Sequence, residues 1–153
     1  MVADASTTGE IVIGQCKTRG NSDVVYSYKP STGIASEDAK GAGLVVFKDT
    51  DDTIAVIASG EAPIGIGGKT TFSTQEVIHK GVEVGVQIPA IDDPAIGDPV
   101  YMTSAGLITS SSDGTTALNA TFSSTPAEPI NPNTGNLVTA SYHAAYIDFP
   151  GGL

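Results

Sequence analysis

The chain has no tryptophan and one cysteine, and only 16% of its 153 residues are charged, against roughly a quarter in ordinary domains. Each shortage excludes something. A single cysteine, Cys16, rules out an intrachain disulfide. Its place in the strand-like run EIVIGQCKT reads as a small apolar filler rather than a nucleophile. With five tyrosines and four phenylalanines as the whole aromatic complement, a stacking platform for sugars or bases is thinly supplied. No apolar run approaches the roughly 20 residues of a membrane-spanning helix, so no membrane role is expected. The opening MVADASTTGE lacks the basic and apolar regions of a signal peptide, and the expectation is a soluble protein made in a reducing cytosol.

Positive charge is missing from half the chain. The seven cations are Lys17, Arg19, Lys29, Lys40, Lys48, Lys69 and Lys80, while Glu83, Asp92, Asp93, Asp98, Asp113, Glu128 and Asp148 follow with no Lys or Arg among them. The net charge is −10. Such a surface repels phosphate, so nucleic acid is not an expected partner. A surface of Ser, Thr, Asn and Gly suits close contact with protein, because little charge has to be desolvated.

What the chain does contain is turn chemistry: 18 glycines and 9 prolines, both costly inside helices. The organising stretch is Gly81 to Thr109. Val82, Val84, Val86 and Ile88 alternate with Glu83, Gly85 and Gln87, the period of a half-buried strand with one apolar face. Pro89 ends it, having no N–H for a ladder. After the connector AIDDPAIGD, Val100 to Met102 turns at Ser104-Ala105-Gly106 and returns as Leu107 to Thr109, a hairpin with Gly106 free to take positive φ.

Upstream, residues 1–9 read as a flexible arm, and residues 10–153 as a single domain. Residues 10–17 read as a first strand with Ile11, Ile13 and Gln15 on one face, and DVVYSYK as a second. ASEDAK, residues 35–40, is a one-turn helix capped by Ser36 and stopped by Gly41. GLVVF and TIAVIAS flank the polar turn KDTDDT as a hairpin, and APIGIGGKTTFSTQEVIH holds two strands around a turn at Gly67-Gly68. Gly43, Val46, Phe47 and Ile54 echo Gly97, Val100, Tyr101 and Ile108, hinting at two similar meanders. Downstream, ALNATFSS reads as a short strand, STPAEPINPNTGN as a long exposed loop, and LVTASYHAAYIDF as a closing or edge strand. About nine or ten short strands exceed one flat sheet. The expected fold is all-β, a single compact β-sandwich or barrel-like domain of antiparallel strands with at most one helical turn.

Several motifs are decoys. PIGIGGKT contains GKT, but Pro63 stands where a phosphate-binding loop needs its first glycine, and no helix follows. DTDDT lacks the spacing and distal glutamate of a calcium loop, and Asp92-Asp93 reads as a turn pair. His79 and His143 have no metal-ligand spacing, and no G-x-S-x-G elbow exists. No catalytic, cofactor-binding or metal-binding residue is assigned, and the chain is not expected to be an enzyme.

The run GVEVGVQIPA with IGDPVYMTSAGLIT resembles small tailed-bacteriophage proteins that decorate or cement the capsid. The matching positions are Gly97, Asp98, Val100, Tyr101, Gly106 and Ile108, and GLVVFKDTDDTIAVIASGEAPIGI before them shares the rhythm of strand, acidic turn and return strand. The likeness spans residues 41–110; the stretch 125–136 has no counterpart. It implies an all-β, usually trimeric domain on the outer surface of the virion, bound to the major capsid protein of the same virus and made in the host bacterial cytoplasm. An unstructured arm suits strand addition to a shell. Residues 1–30 would then hold most shell contacts, with Val2, Ala3, Lys17, Arg19 and Lys29 as candidates. The alternative is a receptor- or carbohydrate-binding β-sandwich of a tail fibre or spike, using the 125–136 loop.

Overall fold

The computed structural model describes residues 9–18, 23–30, 41–50, 53–55, 63–71, 74–104, 106–113, 115–138 and 141–153, with side chains described at all of these except 29–30, 48–50, 53–55 and 71. Among the described residues there are eleven strands and no helix. They are β1 (Glu10–Val12), β2 (Val24–Pro30), β3 (Val45–Thr50), β4 (Thr53–Ala55), β5 (Pro63–Thr71), β6 (Thr74–Pro89), β7 (Pro99–Met102), β8 (Ile108–Thr109), β9 (Thr116–Phe122), β10 (Glu128–Ile130) and β11 (Tyr142–Phe149). The expected helical turn at 35–40 lies outside the described residues.

Nine strands form one sheet in the order β2-β4-β3-β5-β6-β11-β9-β7-β8, and β1 pairs with β10 beside it. Pairing is antiparallel except in β1–β10 and β2–β4. The sheet curls until β2 also meets β6. That second contact involves only residues up to Lys80 of β6, so the architecture is sandwich-like rather than a closed barrel. Both expected hairpins are present: β3 with β4, and β7 with β8, where Gly106 has φ +82°.

The 16-residue β6 is the spine. Its first half pairs with β5 and β2, and its second half, from Gly81 to Pro89, with β11. The change of partner is marked by a bulge. Gly81 faces Phe149 and Val84 faces Ile147, leaving Val82 and Glu83 opposite Asp148 alone. Glu83 adopts φ +51°, and its N–H donates to the Asp148 carboxylate at 2.7 Å. Val84, Val86 and Ile88 are fully buried as the alternation predicts, whereas the bulge turns Val82 outward. The one-faced expectation fails at Gly85 and Gln87, which are buried as well.

The second face of β6 is covered by backbone. The expected first strand breaks after Val12. β1 joins β10, Gly14 turns the chain with φ +71°, and residues 14–17 bond to β6 through Gly14 N–Gly85 O (2.8 Å), Gly85 N–Gln15 O (2.9 Å) and Lys17 N–Glu83 O (2.8 Å). Gly43 donates to the Gly67 carbonyl at 2.8 Å and accepts from the Gln87 N–H at 2.9 Å. There is no room for side chains here. A Cβ on Gly67 would overlap the Gly41 carbonyl oxygen, and one on Gly14 would lie 2.6 Å from that of Gly67. Gly67 and Gly68 are therefore inside β5, and the turn expected at them is not there; they are glycines because segments cross at backbone distance. Buried amides close the crossing, Gln87 Nε2 donating to Ala42 O at 2.7 Å and Gln75 Nε2 to Gly68 O at 3.2 Å.

The main core lies on the other face, where Val84, Val86 and Ile88 meet Phe47, Val100, Ile108, Phe122, Ile147 and Phe149. Ile11 and Ile13 pack with Ala42, Ala127 and Ala144 in a smaller cluster. Two downstream expectations are corrected. β11 is interior, between β6 and β9, and nearly all of it is buried or half-buried on both faces. The stretch 125–136 is not one exposed loop. Pro126, Ala127, Pro129 and Asn131 are buried, because β10 pairs with β1 and Ala127 bonds to Ala144. Thr125 and residues 133–136 stay exposed.

Gly67→Ala should cost about 3 kcal/mol, the upper end of overpacking penalties, because its obstacle is backbone that cannot rotate away. Gly97→Ala, at φ +93° with open space around it, should cost only about 1 kcal/mol of left-handed strain. Urea unfolding of the two variants measures the difference.

Candidate interaction surface

The sequence-derived contact residues are unevenly visible. Val2, Ala3 and Arg19 lie outside the described residues, and Lys29 is on β2 with its side chain undescribed. Lys17 is described: its side chain is 57% exposed, with Nζ 3.8 Å from Glu83 Oε2 and 5.8 Å above the Tyr146 ring. Burial, with the Glu83 carboxylate adding to it, raises the Tyr146 pKa. Among the described residues no group of three or more His, Cys, Asp or Glu is placed to hold a metal.

His79 and His143 sit apart in role. His143 is buried on β11. His79 Nε2 lies 2.8 Å from the Tyr28 hydroxyl, with the Tyr26 ring edge-on at 5.3 Å between centroids. Burial lowers the His79 pKa below 6.5, opposed by a backbone hydrogen bond to Ile64. Desolvation also raises the Tyr28 pKa, with Tyr26 adding a smaller push. Cys16 borders a hollow of about 220 Å³ lined by Gly14, Gln15, Val25, Glu76 and Ile78. That volume is below the roughly 300–1,000 Å³ of a small-molecule site.

The most built surface feature is the connector of residues 90–98, and the Asp92-Asp93 pair divides its labour there. Asp92 receives Thr109 Oγ1 at 3.0 Å, Ser110 N at 2.9 Å and Ser110 Oγ at 2.6 Å, pinning the connector to the end of β8. Asp93 is exposed. Two consecutive turns follow from backbone bonds: Asp92 N to Pro89 O at 3.0 Å, and Asp98 N to Ala95 O at 3.0 Å. Asp98 closes the second by accepting from Ala95 N at 2.9 Å, and Gly97 N reaches Phe122 O on β9 at 2.8 Å. Ile91 and Ile96 occupy central positions of these turns and are 79% and 71% exposed. The sequence reading marked the acidic pair and missed the isoleucines. Their one local signal is a large aliphatic where turns favour Gly, Asn, Asp or Ser.

Asp92→Ala should lower stability by on the order of 2 kcal/mol, since a carboxylate accepting several hydrogen bonds is removed, whereas Asp93→Ala should fall within about 0.5 kcal/mol of wild type. Thermal unfolding separates them. For His79 the unfolded chain takes up the proton first, so its contribution is present above pH 6.5 and is lost as pH falls through the depressed folded value. The melting temperature of wild type should therefore drop more between pH 7.5 and 5 than that of His79→Gln. Equal drops would remove His79 from the pH response.

No protein-family model and no curated protein matches the sequence. Among solved structures, a chain from the capsid of Myoviridae phage XM1 superposes on 100% of this chain and 94% of its own, with a TM-score of 0.62 and 17% sequence identity. At that identity the likeness is one of fold: this chain has the fold of a protein found in a phage capsid structure.

Proposed function

We propose that the chain is a structural virion protein that binds the outer surface of a phage capsid, through its major capsid protein, and cements the shell. The observation supporting this reading is the reciprocal extent of the fold likeness, which takes in all of this chain and nearly all of a chain from a phage capsid. A match over both whole lengths speaks for a counterpart protein rather than a shared module. The sparse surface charge points the same way, since protein contact then needs little desolvation. On this reading the protein acts by binding, without turnover or cofactor. It does so as a homotrimer whose modest contacts, repeated over a lattice, sum to firm attachment.

The tail-fibre alternative draws less support. Its binding surface was to be residues 125–136, and half of that stretch is taken up by β10 and buried residues. The exposed tip carries no aromatic side chain for a glycan to stack on.

Co-sedimentation of the purified protein with empty shells of its virus, with and without residues 1–9, tests the proposal. Saturable binding at a fixed ratio to capsid subunits is the expected outcome, with the truncation reporting how much the arm contributes. No binding at any salt concentration overturns it. Light scattering should give three times the 15.5 kDa chain mass; another multiple would remove the trimer.

A further inference from the structure

We infer that the connector of residues 90–98 is a docking element, and that its partner is a capsid-protein surface offering an apolar hollow rimmed by Lys or Arg. The inference rests on the capsid-binding reading and adds to it the part of the molecule that makes contact.

Three observations converge on this loop. The first is where the isoleucines stand. At 79% and 71% exposure, Ile91 and Ile96 contribute almost nothing to the core. Central turn positions ordinarily carry small or polar residues. Single exposed aliphatics are common, but two at the tips of consecutive turns in one loop form a feature that folding does not require.

The second is rigidity. Asp92 ties the loop to Thr109 and Ser110, Gly97 ties it to Phe122, Asp98 closes its second turn, and Ala90 N bonds to Ser141 O at 3.3 Å. Pro94 is buried beneath. A loop already fixed in one conformation loses little entropy on binding, so more of the contact energy appears as affinity.

The third is charge. Asp92, Asp93 and Asp98 belong to the loop, and the sequence holds no Lys or Arg anywhere after Lys80. Carboxylates without cations disfavour phosphate and anionic lipid headgroups. The absence of any aromatic residue from 90–98 disfavours sugars. Aliphatic knobs with an acidic surround are complementary to a protein hollow with a basic rim, where charge sets orientation and encounter rate and the buried aliphatics set residence time.

The test uses the full chain and empty shells. Ile91→Ser/Ile96→Ser should bind at least tenfold more weakly with an unchanged melting temperature, while Leu137→Ser, an exposed aliphatic elsewhere at 54%, should bind as wild type. Asp93→Asn, at an exposed position free of loop-holding bonds to other segments, should bind more weakly at low salt and show a shallower salt dependence. If wild type binds and the double variant binds equally well, the docking inference is overturned and the capsid role stands. If wild type itself fails to bind, the role falls and takes the inference with it. If the double variant instead loses oligomer mass and keeps shell binding, the loop joins copies of this chain, and the capsid partner is overturned.

Discussion

The structure depends on one steric constraint: where residues 12–15 and 41–44 pass over the second half of β6 and meet residues 65–68 of β5, main chains touch main chains. Gly14, Gly43, Gly67 and Gly85 are the contact points, and hydrogen bonds run from Gly14 to Gly85, from Gly43 to Gly67, and from Gln87 to Gly43. Backbone packed this closely excludes water, so every N–H and C=O at the crossing needs a protein partner. The segments bond to one another, and buried Gln75 and Gln87 donate to the Gly68 and Ala42 carbonyls. Remote parts of the chain are thereby locked to β6 at backbone distance, with Ile13 pressed against Gly43 and Ile11 against Gly85.

That lock explains why β6 can run for 16 residues and serve both sides of the molecule. The change of partner from β2 to β11 half-way along is marked by the bulge at Val82-Glu83, with a glutamate held at φ +51°. Non-glycine residues in that region cost about 1–2 kcal/mol, and the Asp148 carboxylate bound to the Glu83 N–H offsets part of it. Beyond the bulge, β11 and β9 extend the sheet, and Phe122 on β9 meets both the core and the anchor of the 90–98 connector. The spine therefore sets where the 90–98 connector stands.

What was legible in the sequence follows from the range of each interaction. Alternation is local, so Val84, Val86 and Ile88 as core, Ile11 and Ile13 as buried, Pro89 as a terminator and Gly106 as a turn glycine could be read directly. The two hairpins were legible for the same reason. Non-local facts were not. Gly67-Gly68 has the composition of a turn, and only the approach of Gly14 and Gly41 shows that it serves close packing. β11 reads like an edge strand because its partners, β6 and β9, are distant in sequence. Proline and asparagine made 125–136 look exposed, yet a parallel partner at Glu10–Val12 takes Glu128–Ile130 into the fold. In the connector the acidic pair was visible, but which carboxylate holds the fold depended on Thr109 and Ser110 arriving from β8. The exposure of Ile91 and Ile96 is not legible for the opposite reason, since an aliphatic residue has the composition of core whether or not it is buried.

The division of charge along the sequence carries into one part of the sheet. The sheet beyond the bulge, β11-β9-β7-β8 with the connector, is built wholly from residues after Lys80 and so carries no cation. Lys17 stands at the boundary, near Glu83 and over Tyr146, and the remaining cations belong to residues before the bulge. A sheet region with carboxylates and no cation interacts directionally with a charged surface over distances of about a Debye length. Orientation of that kind is cheap, because it needs no induced fit, and it leaves final discrimination to the few apolar side chains that bury on contact. Within the connector, Asp92 and Asp98 are engaged in loop-holding hydrogen bonds, and Asp93 is the exposed carboxylate. Low charge with strong asymmetry is then a single property: little to desolvate, and a direction in which to approach.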